Sequence, residues 1–156
     1  MTRRRRGVTL IEMMMVVAII ALMAGITYPS VSAGIDSLRI TSASDSIVAF
    51  LNAALNRAER RQQVMEIAVS PASLAVRSAE PGYVRRLDMP TGVTIARVLP
   101  DILVPPIGDE PRRFYVYPGG VPPRMGVVLR NTRGAQRVVS VDPITGVPRV
   151  AQSEEP

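Results

Sequence analysis

The sequence predicts an α+β protein: one long N-terminal helix, half of it membrane-embedded and half amphipathic, packed on a small antiparallel β-sheet domain. Three observations carry this. Residues 8–28 are almost wholly apolar, residues 30–61 repeat apolar side chains at helical spacing, and from Val64 the pattern turns to short runs separated by Pro and Gly. The 156 residues fit one domain plus an N-terminal membrane element.

The elements follow in order. Residues 1–7 form a basic leader, Arg3-Arg4-Arg5-Arg6-Gly7. Residues 8–28 supply the roughly 20 apolar positions that a bilayer span needs. Within them stands one carboxylate, Glu12. A charge at the centre of a bilayer costs about 2.5–3.5 kcal/mol on insertion scales, so Glu12 calls for a partner. Snorkelling to the nearby interface is the bland alternative. Gly25 and Pro29 weaken the end of the run, and proline removes a backbone hydrogen bond, so a helix break is expected at Pro29 as the chain leaves the membrane. Residues 29–62 read as the amphipathic half of the helix, with Ile47, Leu51, Ala54, Leu55 and Ala58 on one face. A continuous helix from Val8 to Arg61 would be on the order of 80 Å long.

Residues 63–150 read as a β-rich globular domain. Candidate strands are 64–69, 73–77, 83–87, 93–99, 113–117, 126–130, 137–141 and 147–150. Asn131-Thr132-Arg133-Gly134 is expected to turn a hairpin, and Asp142-Pro143-Ile144-Thr145-Gly146 a second one. Pro100–Pro111 is Pro-rich and aperiodic, a surface loop, and residues 151–156 read as a disordered tail.

Composition excludes several classes of function. The net charge of +6 comes from 19 basic residues, all arginine, against 13 acids. Four of those arginines lie at 3–6; 19 − 4 leaves 15 against 13, about +2. Most of the excess therefore belongs to the leader, where it would set membrane orientation. There is no Cys and no His, which removes thiolate metal sites and the commonest general base. The acids lack metal-ligand spacing, Asp109-Glu110 reads as solvated loop charge, and Gly119-Gly120 lacks the Lys-Ser/Thr of a phosphate loop. No catalytic residue, metal or cofactor is expected, and the chain is not expected to be an enzyme.

The N-terminal segment allows three readings. A secretory signal peptide would be cut beyond Val31-Ser32-Ala33, and a plain anchor would not be cut. The third reading rests on motif. Arg6-Gly7-Val8-Thr9-Leu10-Ile11-Glu12, the apolar run and Tyr28-Pro29 together resemble the N-terminus of type IV pilins and pseudopilins. The resemblance implies cleavage by a prepilin peptidase between Gly7 and Val8, then N-methylation of Val8. It also implies that Glu12 serves assembly and register. Members usually begin the mature chain with Phe, where this one has Val8, and Met13-Met14-Met15 replaces the usual Leu/Val run. Physically, cleavage creates an ammonium at Val8, and a neighbour offset by about one helical turn, roughly 5.4 Å, would bring that amine to Glu12.

Gly126–Arg130, the basic turn, the Val-rich strand and Asp142–Val150 resemble the H-type minor pseudopilins of type II secretion. This implies a subunit of the short periplasmic pseudopilus near its tip, held by one span in the bacterial inner membrane. Its partners would be other major and minor pseudopilins, through their N-terminal helices, and the inner-membrane assembly platform. The alternative is a minor pilin of a type IV pilus, involved in pilus assembly or DNA uptake. For that role Arg130, Arg133, Arg137 and Arg149 are the candidate DNA contacts; the competing reading makes them a solvated strand face. The ending Gly146-Val147-Pro148-Arg149 lacks the first arginine of a Gly-Arg-x-Arg tail, so nucleic acid is not the expected partner.

Overall fold

A computed structural model describes residues 8–80, 82–101 and 110–151, apart from the side chains of residues 26–31. The chain divides into two compact units, residues 1–35 and 36–156. One helix, α1 (Leu10–Arg61), supplies the helical residues of both. Its assignment runs unbroken through Pro29, in place of the break expected there. Helical turns on either side can propagate across one missing hydrogen bond, because extending a helix is far cheaper than nucleating it. Among the described residues no helix is long and apolar enough to cross a membrane. The expected span, 8–28, runs into Ile26–Tyr28, whose side chains lie outside the described residues.

In the second unit the helix buries one stripe. Ile40, Ala43, Ile47, Phe50, Leu51, Ala54 and Ala58 are all in the core, at the three- and four-residue spacing of one helical face. The sequence pattern had marked Ile47, Leu51, Ala54 and Ala58; Leu55 proves half-buried at the edge of the same stripe. Ser44 is also buried, and its hydroxyl donates to the Ile40 carbonyl at 2.6 Å, so no polar group is left unpaired there. The helix closes with paired bonds from Gln63 N to Ala58 O and from Gln62 N to Glu59 O. Gln62 takes the left-handed position (φ 51°) that ends such a turn.

Eight strands follow: β1 (Met65–Ser70), β2 (Ser73–Ser78), β3 (Val84–Asp88), β4 (Val93–Leu99), β5 (Arg112–Val116), β6 (Gly126–Asn131), β7 (Gln136–Val141) and β8 (Pro148–Ala151). All eight coincide with expected strands to within a residue or so. The expected α+β arrangement, a long helix followed by a small antiparallel β domain, is present, and the domain holds two sheets. They are four-stranded and antiparallel, ordered β3-β2-β1-β5 and β4-β6-β7-β8. After β3 the chain turns through Met89–Gly92 and the next strand pairs with β6 instead of continuing the first sheet. Backbone bonds hold that departure: Met89 N donates to Ala72 O and Ile95 N to Pro71 O, both at 2.9 Å. The β1–β2 turn thus grips the start of β4.

β4 also carries a bulge at Ala96, between the pairs Ile95–Leu129 and Arg97–Val128. Val93 and Ile95 are buried, Ala96 and Arg97 are both exposed, and Val98 is partly buried again. One extra residue resets the inward alternation. Inner positions of both sheets then meet the helix stripe: Met65, Ile67, Val69, Leu74 and Val76 from one, Val127, Leu129, Val139 and Val141 from the other. The expected loop at Pro100–Pro111 has residues 102–109 outside the described residues, as does the tail from Gln152; Ala151 itself ends β8.

Leu51 is fully buried where the helix meets the core. Leu51→Ala should therefore cost about 2–5 kcal/mol in cavity and transfer energy. Urea unfolding of the detergent-solubilised chain should show a lower midpoint at unchanged slope.

Candidate assembly site at the helix start

The site is built on the first turn of α1. Val8 and Thr9 precede the helix, and the Thr9 hydroxyl accepts a hydrogen bond from the Glu12 backbone N–H at 3.3 Å. Met13 N donates to the Thr9 carbonyl, closing the first helical turn. Thr9 is therefore the N-cap and Glu12 the third helical residue, the Thr-x-x-Glu spacing of a capping box. The capping spacing is legible in Thr9-Leu10-Ile11-Glu12, a signal for Thr9 that the membrane cost of the Glu12 carboxylate overshadows in the sequence.

Position explains why an acid suits this turn. Glu12 is the acidic residue of the first turn, where the helix presents its positive end. Around it every large side chain is apolar and exposed: Leu10, Ile11, Met13, Met14, Met15, Val16, Val17, Ile19, Ile20, Leu22 and Met23. Those residues occupy all sides of the helix rather than one stripe. A helix apolar all round is stable only in apolar surroundings, either lipid or other helices. Glu12 stands next to its own helix terminus, whose positive end favours a carboxylate. Val8 is exposed, while Gly7, the other side of the expected cleavage point, lies outside the described residues.

The four arginines proposed for DNA do not form one surface. Arg130 is exposed on β6, and Arg149 pairs in register with Ser140 of β7, which pairs with Gly126; these positions share the outer face of the second sheet. Arg137 sits opposite Leu129, on the inner-facing row. Arg133 lies in the β6–β7 turn, and its Nε donates to Asp36 Oδ2 at 2.9 Å, tying the turn to the helix. That turn is further held by Asn131, whose Oδ1 accepts from Arg133 N and Ala135 N, with Gly134 at positive φ. Arg149 leans toward Asp142, 3.8 Å away.

Asp142 organises the last turn. Its Oδ1 accepts from Ile144 N at 2.8 Å and Thr145 N at 3.2 Å, and Gly146 N donates to its carbonyl. The Ile144 and Thr145 amides hold the carboxyl below its ordinary 3.8; desolvation opposes them, and the Thr145 side chain and Arg149 add smaller pulls.

Residues 2–28 match the family model described as the prokaryotic N-terminal methylation motif. That stretch is the type IV pilin/pseudopilin signal, and it implies processing by a prepilin peptidase and assembly with other pilin-like subunits. No curated protein and no solved structure matches the chain.

Three outcomes follow from this geometry. Thr9→Ala should weaken the helix start by about 1 kcal/mol, read as faster amide exchange at Ile11 and Glu12, while Thr9→Ser should retain protection. Glu12→Gln keeps the capping-box spacing without the charge, so it should preserve that protection and lose incorporation beside other subunits; full incorporation would remove the ion pair from the account. At the last turn, a carboxylate whose folded value is lowered stabilises above its unfolded value and loses that contribution as pH falls through the folded one. The stability gap between the native chain and Asp142→Ala should be constant near neutrality and close in acid below 3.8. A gap that persists unchanged at low pH would show that charge plays no part.

Proposed function

We propose that this pilin-like chain is a minor pseudopilin of a type II secretion system: a structural, non-catalytic subunit of the short periplasmic pseudopilus, placed near its tip. The observation that carries this reading is the helix start. A peptidase-type signal leads into a capped turn bearing one carboxylate, and then into a helix apolar on every side. That combination fits a subunit that is stored in a membrane through its N-terminal helix and handed to a bundle of like helices. The pilin motif is generally membrane-anchored, which supports a single inner-membrane span with the β-rich domain in the periplasm.

The choice of the secretion system rests on the C-terminal resemblance, Gly126–Arg130 through Val150. Dispersal of Arg130, Arg133, Arg137 and Arg149 over two faces and a turn weighs against DNA uptake, because a phosphate track needs its cations on one surface. Prepilin peptidase, the other pseudopilins and the inner-membrane platform are the partners of this reading.

Intact mass of the chain, expressed with and without a prepilin peptidase, is the direct test. A peptidase-dependent loss of residues 1–7, with or without one methyl group on Val8, is expected. A chain beginning at Gly34 would mean an ordinary secreted domain. An uncut chain would remove the assembly role. Cross-linking in cells then separates the two machines, with pseudopilin adducts expected and pilus-subunit adducts refuting the secretion assignment.

A further inference from the structure

The C-terminal end of α1 carries three arginines, Arg57, Arg60 and Arg61, with no ion-pair partner among the described residues. Most arginines elsewhere are occupied. Arg39 and Arg133 meet Asp36, Arg77 and Arg113 clamp Glu66, and Arg86, Arg97 and Arg149 face Asp88, Asp101 and Asp142. Arg112 donates to the Val98 carbonyl at 2.6 Å. The helix terminus favours cations, which accounts for basic residues in the last turn but not for how Arg57 is held.

Arg57 is half-buried, with its guanidinium carbon 3.6 Å from the centroid of the Tyr83 ring. Its Nε is buried and has no hydrogen-bond partner among the described residues. Stacking fixes the plane of the guanidinium and removes water from one side. Two hollows of about 290 and 310 Å³ share Arg57 and Arg61 as walls; Arg60 lines the second. The neighbouring carboxylates are engaged elsewhere. Glu59 Oε1 accepts from Gly119 N at 2.9 Å, and Glu80 accepts from the Gln63 side chain, which also receives the Ser78 hydroxyl.

We infer that Arg57, Arg60 and Arg61, beside Tyr83, form a recognition site for the carboxylates of an acidic segment on a protein partner. The guanidinium fork matches a carboxylate in a bidentate manner, and the stack on Tyr83 pre-orients one such fork. The shape favours short acidic side chains over a polyphosphate. The cations converge on two adjacent hollows instead of running in a track, and Glu80 on the rim would repel a continuous chain of phosphates. In the assembly reading, which this inference deepens, a neighbouring subunit supplies the acids.

The test uses the full chain in neutral detergent and an oligoglutamate peptide as probe, followed by calorimetry or fluorescence anisotropy. Salt-sensitive binding is expected, weakened at least about tenfold in Arg57→Gln/Arg60→Gln/Arg61→Gln. Arg60→Gln/Arg61→Gln changes only exposed side chains and leaves the Tyr83 stack intact, so it should fold normally and show part of the loss. Arg130→Gln/Arg149→Gln, on the outer face of the second sheet, should bind as the native chain does. Equal binding by the native chain and both helix variants would overturn the site. Preference for duplex DNA over the peptide, lost in the same variants, would overturn the protein-carboxylate assignment. Full competition by inorganic sulfate at low concentration would reassign it to a free oxyanion and overturn it likewise. Because the readout needs no filament, a chain that binds the peptide through these arginines but never cross-links to pilin-like subunits would refute the assembly reading and leave the site standing.

Discussion

Burial of one helical face, from Ile40 to Ala58, is the contact on which the globular unit depends. Large residues on that face, Ile40, Ile47, Phe50 and Leu51, share one buried cluster with residues of both sheets, and the small Ala43, Ser44, Ala54 and Ala58 are buried beside them. Both sheets present their inner rows to this one stripe, so neither sheet would have a complete core without it. The stripe also sets where β1 starts. The helix stops in a left-handed residue at Gln62, and three residues later Met65 is already fully buried. Val64 accepts from Ala79 N at that junction, which ties the end of the helix to the far end of the β1–β2 hairpin.

The other half of the helix obeys a different rule. Residues 10–23 have no stripe at all; they are apolar on every side and exposed. Their stabilisation has to come from outside the chain. At the start of this half, Thr9 meets the amide of Glu12, and in an apolar medium an unmet amide costs several kcal/mol.

Arginine content acquires meaning only through partners. As composition, 19 arginines suggest a polyanion ligand. In the fold, Glu66 is drawn down to 12% side-chain exposure between Arg77 and Arg113, and Asp36 draws the β6–β7 turn onto the helix through Arg133. These pairs are partly exposed and contribute modestly each, but they fix strand neighbours and turn positions. What remains unpaired at the end of α1 is a local feature that no charge count reveals.

Local chemistry was sufficient for much of this protein. Helical periodicity identified Ile47, Leu51, Ala54 and Ala58, because a side chain's face in a helix depends only on spacing. Turn residues such as Asn131, Gly134, Asp142 and Gly146 delimited the last strands, because their backbone and side-chain bonds are made within a few positions. The Gly7-Val8 to Glu12 motif and the capping spacing from Thr9 to Glu12 were legible for the same reason. Strand neighbours were not legible. Whether β4 continues the first sheet or opens a second depends on bonds from Met89 and Ile95 to Ala72 and Pro71, about twenty residues back. The dispersal of Arg130, Arg133, Arg137 and Arg149, and the meeting of Arg57 with Tyr83, are likewise decided by register and by contact between distant segments. Spacing along the chain determines which face a residue occupies; only the assembled fold determines what that face meets.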